Sequence, residues 1–304
     1  MPRRPLPLPS QVHGRAFSVT EATTADVSRS RTRAADLQAP FHGVRTAAGP
    51  LDLVSACRAR LTRLPPVAAF SHVTAARLHT LPLPLRLAQQ QVLHVSVPVG
   101  KRAPEGRFSC GHQVVLRAED VDERHGIPST TPARTFCNLA STLTLAELVA
   151  VGDHLVRRGA GTLTVDELAA AVAGYPGRRG LVKLRRALDL LDEGSESPKE
   201  SELRVVIIEA GLPRPECNAS VFDVGGRFVA RVDLSYAHLK IAIEYEGDHH
   251  RDKSRWRADL ARRRRLEALG WVYLSVTQDD LTDPCAFLTD LRMALDRRLA
   301  EIGR

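Results

Sequence analysis

Two acidic residues alternate in a segment whose pattern is typical of a β-strand. In the stretch IAIEYEGDHH, residues 241–250, Glu244 and Glu246 are two positions apart. Alternate residues of a strand share a face, so the two carboxylates lie side by side. Carboxylate oxygens suit Mg²⁺ or Mn²⁺, and such an ion polarises a phosphoryl oxygen and lowers the pKa of a bound water. The pattern indicates a site for phosphodiester hydrolysis, while a polar sheet face lying in water explains the same spacing.

A second predicted strand, in the stretch RFVARVDL, carries a third acid, Asp233. If a hairpin places Asp233 opposite Ala242, Asp233 lies diagonal to Glu244 and one metal ion bridges them. A register slip by one residue moves Asp233 to the other face, and the sequence does not fix the register. The alternation also predicts that Val232 and Leu234 face the same way, opposite to Asp233. On the strand that carries Glu244, the predicted apolar face consists of Leu239, Ile241, Ile243 and Tyr245.

Imidazole and guanidinium groups follow these acids directly. Gly247 permits a tight exit that leaves His250 near the carboxylates, where an imidazole acts as general acid or base or holds a phosphate. The next predicted helix, DKSRWRADLARRRRLEALG, is rich in arginines that suit a phosphate backbone, although an arginine run is equally typical of a solvated face. We expect contacts to nucleic acid from Arg255, Arg257, Arg262 and Arg263.

The amino-terminal segment has the signals of two short helices. Ser18 with Glu21 forms a capping box, and Ser28 is placed to cap a second helix. With the extended stretch FHGVR that follows, these elements predict a small winged helix-turn-helix, whose second helix enters the major groove of DNA. An arginine-bearing helix on an ordinary small helical element is the alternative. The predicted nucleic-acid contacts on the second helix are Arg29, Arg31 and Arg33.

Composition limits the function classes. The formal net charge of +8, from 43 Lys and Arg against 35 Asp and Glu, favours a polyanionic partner. No run of about 18 apolar residues is present, so we expect a soluble, cytoplasmic protein without a membrane partner. Five widely separated cysteines without a CxxC pair indicate neither a disulfide framework nor a zinc ribbon. His72 and His79 are seven positions apart with no carboxylate or cysteine in step, which favours structural or exposed roles over metal binding.

The chain is long enough for two or three domains, and the pattern of elements predicts a multi-domain α+β protein. Capping boxes at Thr144 and Thr164 open apolar helices in the middle of the chain. The small, polar stretch DEGSESPKE suits a domain junction. The predicted segments are a Pro-rich tail at 1–15, a winged helix-turn-helix at 16–48, an α+β domain at 49–195 and a carboxy-terminal α/β domain at 196–304.

The carboxy-terminal segment resembles a nuclease family. The stretches SPKESELR, ARVDLSYAHLKIAIEYEGDHHR and RRRRLEALGWVYLSVTQDDL are similar to the DUF559 domain, a relative of the very-short-patch-repair endonucleases in the PD-(D/E)XK superfamily. The resemblance implies a restriction-endonuclease-like fold in which Glu200, Asp233 and Glu244 form the acidic site, Asp233 and Glu244 bind the metal, and His250 assists. Glu246 stands where the wider superfamily has lysine, so the side chain that usually positions the attacking water is missing.

The first two hundred residues are similar to AbiEi-type proteins, the antitoxin and repressor components of abortive-infection systems. The arginine-bearing helix with FHGVR resembles their winged helix, and TTPARTFCNLA resembles part of their following domain. The resemblance implies DNA as a partner, together with a cognate toxin or another defence-system component.

These patterns lead to one leading hypothesis and two alternatives. The leading hypothesis is a DNA-binding protein with a Mg²⁺-dependent (or Mn²⁺-dependent) endonuclease-like domain, acting in phage defence or DNA repair. The first alternative is a non-enzymatic AbiEi-like repressor or antitoxin whose nuclease fold does not cut. The second is a structural α/β module with solvated acids. The sequence sets neither the recognition sequence nor the oligomeric state.

Overall fold

The computed structural model describes residues 5–247 and 253–303, without the side chains of 253–256 and 258. The chain divides into two compact units. The first comprises residues up to 139 together with 175–177, and the second comprises residues 140–174 and the chain from 178 onward. None of the helices within the described ranges has the length and apolar character needed to cross a membrane.

The first unit is a mixed α/β structure with two sheets. Its helices are α1 (Val19–Thr24), α2 (Leu53–Leu61), α3 (His72–Leu78), α4 (Leu85–Ala88) and α5 (Pro132–Leu139), with 3₁₀ turns at Arg31–Arg33 and Ala118–Asp120. Its strands are β1 (Phe17–Ser18), β2 (Leu37–Gln38), β3 (Val44–Ala47), β4 (Ala69–Phe70), β5 (Leu93–Pro98), β6 (Ser109–Val114), β7 (Val121–Arg124) and β8 (Ile127–Thr130). The order β1-β3-β2 forms an antiparallel sheet, and the order β6-β5-β4-β8-β7 forms a mixed sheet.

The second unit packs seven helices around one four-stranded sheet within the described residues. Its helices are α6 (Leu145–Val156), α7 (Val165–Ala173), α8 (Leu181–Leu190), α9 (Pro198–Glu209), α10 (Lys253–Ala268), α11 (Gln278–Thr282) and α12 (Cys285–Ile302). Its strands are β9 (Glu216–Phe222), β10 (Phe228–Tyr236), β11 (Ile241–Tyr245) and β12 (Val272–Val276), and a 3₁₀ turn spans Ala237–Leu239. The sheet order is β12-β11-β10-β9, with β11 and β12 parallel and the other pairs antiparallel.

Helix starts follow the sequence signals closely. In a capping box, a side-chain oxygen at the position before the helix accepts an orphan backbone N–H, and the glutamate three residues later accepts the cap residue's own N–H. All three predicted capping boxes are confirmed: Ser18 with Glu21, Thr144 with Glu147 and Thr164 with Glu167. Such a cap stabilises a helix by about 1 kcal/mol.

The predicted second helix of the amino-terminal segment is wrong in length. Only a single 3₁₀ turn forms, at Arg31–Arg33, although the hydroxyl of Ser28 does accept the Arg31 N–H at 3.2 Å. Local hydrogen bonds take up the groups that a longer helix would need. The Thr32 hydroxyl donates to the Arg29 carbonyl at 2.9 Å, and the Arg45 guanidinium donates to the Thr32 carbonyl at 2.6 Å.

A buried ion pair ties the helices before residue 195 to the helix after it. Arg204 on α9 is fully buried, and its guanidinium donates to the Asp153 carboxylate on α6 at 2.5 Å and to the Leu190 carbonyl. The other Asp153 oxygen accepts the Asp192 N–H at 2.8 Å. Removing one partner of such a pair leaves an uncompensated buried charge and costs about 3–5 kcal/mol. The predicted boundary between 195 and 196 therefore falls inside the second unit.

The register of β10 and β11 differs from the one that the sequence analysis assumed. The structure pairs Ala242 with Ser235, not with Asp233, and Leu234 with Ile243. The apolar face predicted for β11 is confirmed, since Leu239, Ile241, Ile243 and Tyr245 all belong to one core cluster.

The alternation predicted for β10 is wrong at Asp233. Val232 packs in a cluster with Leu266 of α10, whereas Leu234 packs in the opposite cluster with Leu203 of α9. Between them, the Asp233 carboxylate accepts the Tyr245 N–H at 2.9 Å. In a regular ladder a backbone carbonyl accepts such an N–H, whereas here a side chain accepts it. The strand changes its packing face at this residue.

Candidate functional site

Glu244 is a buried carboxylate with incomplete partners. Its side chain lies on β11 and the residue is only 4% exposed. One oxygen, Oε2, accepts hydrogen bonds from the Arg262 guanidinium on α10 and from the Tyr273 hydroxyl on β12, the latter at 3.1 Å. The other oxygen, Oε1, is buried and has no hydrogen-bond partner among the described residues. Burial raises the pKa of Glu244 to about 7, because desolvation outweighs the opposing charge of Arg262.

Asp233 lies beside Glu244, and burial disfavours its charged form as well. Burial raises the pKa of Asp233, although the Tyr245 N–H that its Oδ2 accepts at 2.9 Å acts in the other direction. The negative charge of Glu200 raises that pKa further, and Asp233 in turn raises the pKa of Glu244. The three acids predicted to form the site therefore interact, as like charges do when they are partly desolvated.

Glu200 is held by the start of α9. Ser197 caps this helix and accepts the Glu200 N–H at 3.2 Å. The Glu200 carboxylate, on a residue only 6% exposed, accepts the Glu196 N–H at 2.9 Å and the Asn218 side-chain amide at 2.6 Å. Asn218 has a left-handed backbone, φ 52°, and its amide also reaches the Gly194 carbonyl. Sequence reasoning missed Asn218, since no spacing links it to Glu200.

The three acids predicted for the site do not converge on one point. Among the described residues, no group of three acids brings one ligand oxygen from each within 4.8 Å of the others. Glu246 is half-buried, and its charge acts on Tyr273 and Arg263, as expected for a residue on the Glu244 side of the sheet. His250 and the side chain of Arg255 lie outside the described residues.

The arginines of α10 have different environments. Arg262, predicted to contact nucleic acid, turns inward to Glu244 and lies 3.6 Å from Asp259. Arg263 pairs with Glu267 at 2.8 Å and lies over the Tyr273 ring, 4.9 Å from its centroid. Arg257 is exposed, which leaves it available to a phosphate.

A separate basic cleft lies within the first unit. Its volume is about 790 Å³, and one acid, Glu105, lines it beside six arginines. The arginines are Arg29, Arg33, Arg45, Arg60, Arg63 and Arg107. Aromatic rings support some of them, since Arg60 lies over Phe41 and Arg107 over Phe108. Burial lowers the pKa of Arg60, and the neighbouring charge of Arg63 lowers it further, so like charges are crowded at this wall.

Two of the three arginines predicted in the amino-terminal segment line this cleft. Arg29 and Arg33 are exposed there, whereas Arg31 makes a bidentate pair with Asp36 at 2.9 and 2.7 Å. The remaining cleft arginines come from β3, α2 and the segments after α2 and before β6. Their spacing has no period, so no signal in the sequence points to them.

Two relatives from Mycobacterium tuberculosis match most of the chain. They are "Uncharacterized protein Rv2248" of strain ATCC 25618 / H37Rv and "Uncharacterized protein MT2308" of strain CDC 1551 / Oshkosh. Each is 33% identical over 207 residues, which cover 67% of this chain and 74% of the relative. This chain belongs to their family. No family model and no solved structure matches it. The names of these relatives carry no activity, so the functional argument rests on the residues of the site.

The raised pKa of Glu244 predicts a pH-dependent stability of the second unit. The folded protein binds the Glu244 proton with a pKa of about 7, against an ordinary value of 4.5. Protonation of Glu244 therefore makes its full contribution to the free energy of unfolding below pH 4.5, and this contribution is lost as the pH rises through 7. Between pH 5 and 8 the free energy of unfolding of the wild type should fall, and we expect Glu244→Gln to abolish about 2 kcal/mol of this fall. Urea unfolding followed by tryptophan fluorescence measures it, because Trp256 and Trp271 both belong to this unit.

The matched control for this prediction is Glu209→Gln. Glu209 is an exposed carboxylate on α9, so this variant keeps the pH dependence of the wild type. Identical pH profiles for the wild type and Glu244→Gln contradict the assignment.

Proposed function

We propose that this protein binds DNA and carries a Mg²⁺-dependent endonuclease-like domain that hydrolyses phosphodiester bonds, in phage defence or DNA repair. The observation that carries the proposal is the buried Glu244 carboxylate, with its partnerless Oε1 among the described residues, beside Asp233. Buried charges are expensive unless they are paired or bound to a metal. Carboxylates whose pKa values are raised by burial and by each other are typical of functional sites.

The two carboxylates fit a divalent ion of the Mg²⁺ type. Such an ion usually takes one or two protein carboxylates and fills its other positions with water and phosphate oxygens. Asp233 and Glu244 would hold it, and Glu200 would complete the acidic surround. The ion would supply polarisation of a phosphoryl oxygen and a bound water of lowered pKa.

Three further residues would have roles in the reaction: Arg262, His250 and Glu246. Arg262 would share Glu244 with the ion or turn to a phosphate of the bound strand, which guanidinium groups bind well. The role proposed for His250 is general acid or base, or phosphate contact. Glu246 would act through water, because it occupies the place of the superfamily lysine.

The basic cleft of the first unit supports the DNA-binding half of the proposal. Guanidinium groups around a concave surface of about 790 Å³ concentrate positive potential where a phosphate backbone would lie. Arg29 and Arg33, at the 3₁₀ turn that stands in place of the predicted second helix, contribute to this surface together with Arg63 and Arg107.

A second candidate is a non-enzymatic regulator, a repressor or antitoxin that binds DNA and a cognate toxin without cutting. The Arg262–Glu244 ion pair favours it, because a guanidinium already provides the positive charge that a metal ion would bring. The acid at Glu246 favours it as well, since the lysine that positions the attacking water is missing.

Incubation with supercoiled plasmid tests the enzyme. We expect nicking in Mg²⁺ or Mn²⁺ and none in EDTA. Asp233→Asn and Glu244→Gln should each lower the rate by about 100-fold or more, the usual loss when a group that stabilises the transition state is removed. Glu209→Gln, which neutralises an exposed carboxylate on the same helix as Glu200, should nick at the wild-type rate. Equal nicking by all four proteins would mean that the activity is not at this site.

Gel-shift titration in EDTA tests DNA binding separately from cutting. We expect the double variant Arg33→Ala, Arg63→Ala to bind a promoter fragment more weakly and with a smaller salt dependence. The slope of the logarithm of the binding constant against the logarithm of the salt concentration should become shallower by about 0.9 for each phosphate that the variant no longer neutralises. Arg117→Ala is the control, since Arg117 is exposed in the same unit and does not line the cleft. If both variants bind like the wild type, the cleft is not the DNA-binding surface. Binding without nicking supports the regulator.

A further inference from the structure

Three histidines from separate segments of the first unit meet at one place. His72 is the first residue of α3, His94 lies on β5 and His112 lies on β6. One ring nitrogen from each lies within 4.8 Å of the other two. His94 Nδ1 is 3.0 Å from His112 Nε2, and the ring of His72 stacks on that of His112 with centroids 3.8 Å apart. Within the described residues, this is the only group of three potential metal-ligating side chains so close together.

The sheet brings these rings together. The parallel pairing of β5 and β6 places Ser96 beside His112, and His94, two residues before Ser96, shares its face. The chain then reaches His72 directly from β4, which pairs with β5 on its other side. The Ser71 N–H donates to the His94 carbonyl at 3.0 Å, and this contact fixes the start of α3 next to β5.

The backbone at His72 is strained. Its φ of 49° lies in the left-handed region, which costs energy for a residue with a side chain and which clusters at functional sites. His72 is nevertheless buried, 9% exposed, at this position. The fold therefore holds an imidazole against the other two at an energetic cost.

An ion would replace the hydrogen bond between His94 Nδ1 and His112 Nε2, the two ring nitrogens that face each other at 3.0 Å. Each neutral imidazole has one donor and one acceptor nitrogen. His72 Nδ1 lies 2.9 Å from the Ser71 hydroxyl, which also accepts from the Ser96 hydroxyl at 2.8 Å. A donor role for Nδ1 makes Nε2 the acceptor nitrogen of His72, and a hydrogen bond of this kind fixes the tautomer of many metal-binding histidines. His94 Nε2 is buried and has no hydrogen-bond partner among the described residues.

Burial lowers the pKa of all three histidines, because it disfavours the charged imidazolium form. Neutral imidazole is the form that binds metals.

We propose that His72, His94 and His112 form a binding site for a transition-metal ion of the Zn²⁺ class. Imidazole nitrogens suit Zn²⁺, Co²⁺, Ni²⁺ and Cu²⁺, whereas a group without a carboxylate does not suit Mg²⁺. In a tetrahedral site with Zn–N distances of about 2.0–2.1 Å, ligand nitrogens lie roughly 3.4 Å apart. His94 Nδ1 and His112 Nε2 would therefore separate slightly from 3.0 Å, and the stacked ring of His72 would have to turn a nitrogen toward the ion. Three histidines leave the fourth position to water or to another ligand.

Metal titration of the full-length protein tests the site. After removal of metals with EDTA and dialysis, calorimetry with Zn²⁺ should show one saturable equivalent, and Co²⁺ should give the intense visible absorption of a four-coordinate ion. His112→Gln should weaken Zn²⁺ binding at least tenfold. His238→Gln, at an exposed histidine of the second unit, should bind like the wild type.

Two further variants separate the outcomes. Asp233→Asn with Glu244→Gln should retain the Zn²⁺ equivalent, which distinguishes this site from the carboxylates of the proposed nuclease. His94→Gln should repeat the effect of His112→Gln. Circular dichroism checks that both histidine variants fold, and if neither folds, the Co²⁺ spectrum of the wild type decides. Absence of saturable binding by the wild type, or equal binding by folded His112→Gln, overturns the proposal.

Discussion

The buried carboxylate of Glu244 is the constraint on which the second unit depends. A buried carboxylate requires hydrogen-bond donors, and α10 and β12 supply two to the same oxygen, Arg262 and Tyr273. Even so, desolvation exceeds the attraction of Arg262, and one oxygen has no hydrogen-bond partner in the described part of the chain. A fold that needed only stability would place an apolar residue here, because buried ion pairs are often less stabilising than well-packed side chains.

The neighbourhood of Glu244 explains the irregularities of the sheet. Asp233 uses its side chain to accept the Tyr245 N–H, and β10 changes its packing face at this residue. In a regular β10, successive residues would face opposite sides of the sheet throughout the strand. The Asp233 carboxylate would then lie away from the Tyr245 N–H. The irregular strand holds a second carboxylate beside the first, and the repulsion between the two adds to the cost of burying them.

Local signals in the sequence were sufficient for the helix starts and for β11. Capping at Ser18 depends on residues three positions apart, and the face of Ile241 and Ile243 depends on a period of two. The same period failed at Val232 and Leu234, because a contact between Asp233 and another strand decided the outcome. The second amino-terminal helix failed for a related reason, since Arg45, distant in sequence, takes the Thr32 carbonyl.

The components of the sites that the sequence did not predict come from separate segments. Asn218 reaches Glu200 of α9 from β9, and Arg60 and Arg107 reach the basic cleft from segments far apart in sequence. His94 and His112 meet only because β5 and β6 pair in parallel. The spacing of residues in a motif does not predict contacts between segments that are far apart in sequence. The resemblance to the DUF559 domain assigned Glu200, Asp233 and Glu244 to the acidic site, but it did not place Arg262 at Glu244.

The central claim is that Asp233 and Glu244 form a carboxylate pair that a divalent ion completes. Calorimetric titration with Mn²⁺ at pH 6.5, in two buffers of different ionisation enthalpy, tests it most directly. Because the pKa of Glu244 is about 7, ion binding must displace its proton, and the difference in heat between the buffers should correspond to release of about three-quarters of a proton per ion at this pH. The difference should vanish at pH 8.5 and in Glu244→Gln. Binding without proton release, or no binding at all, would contradict the account.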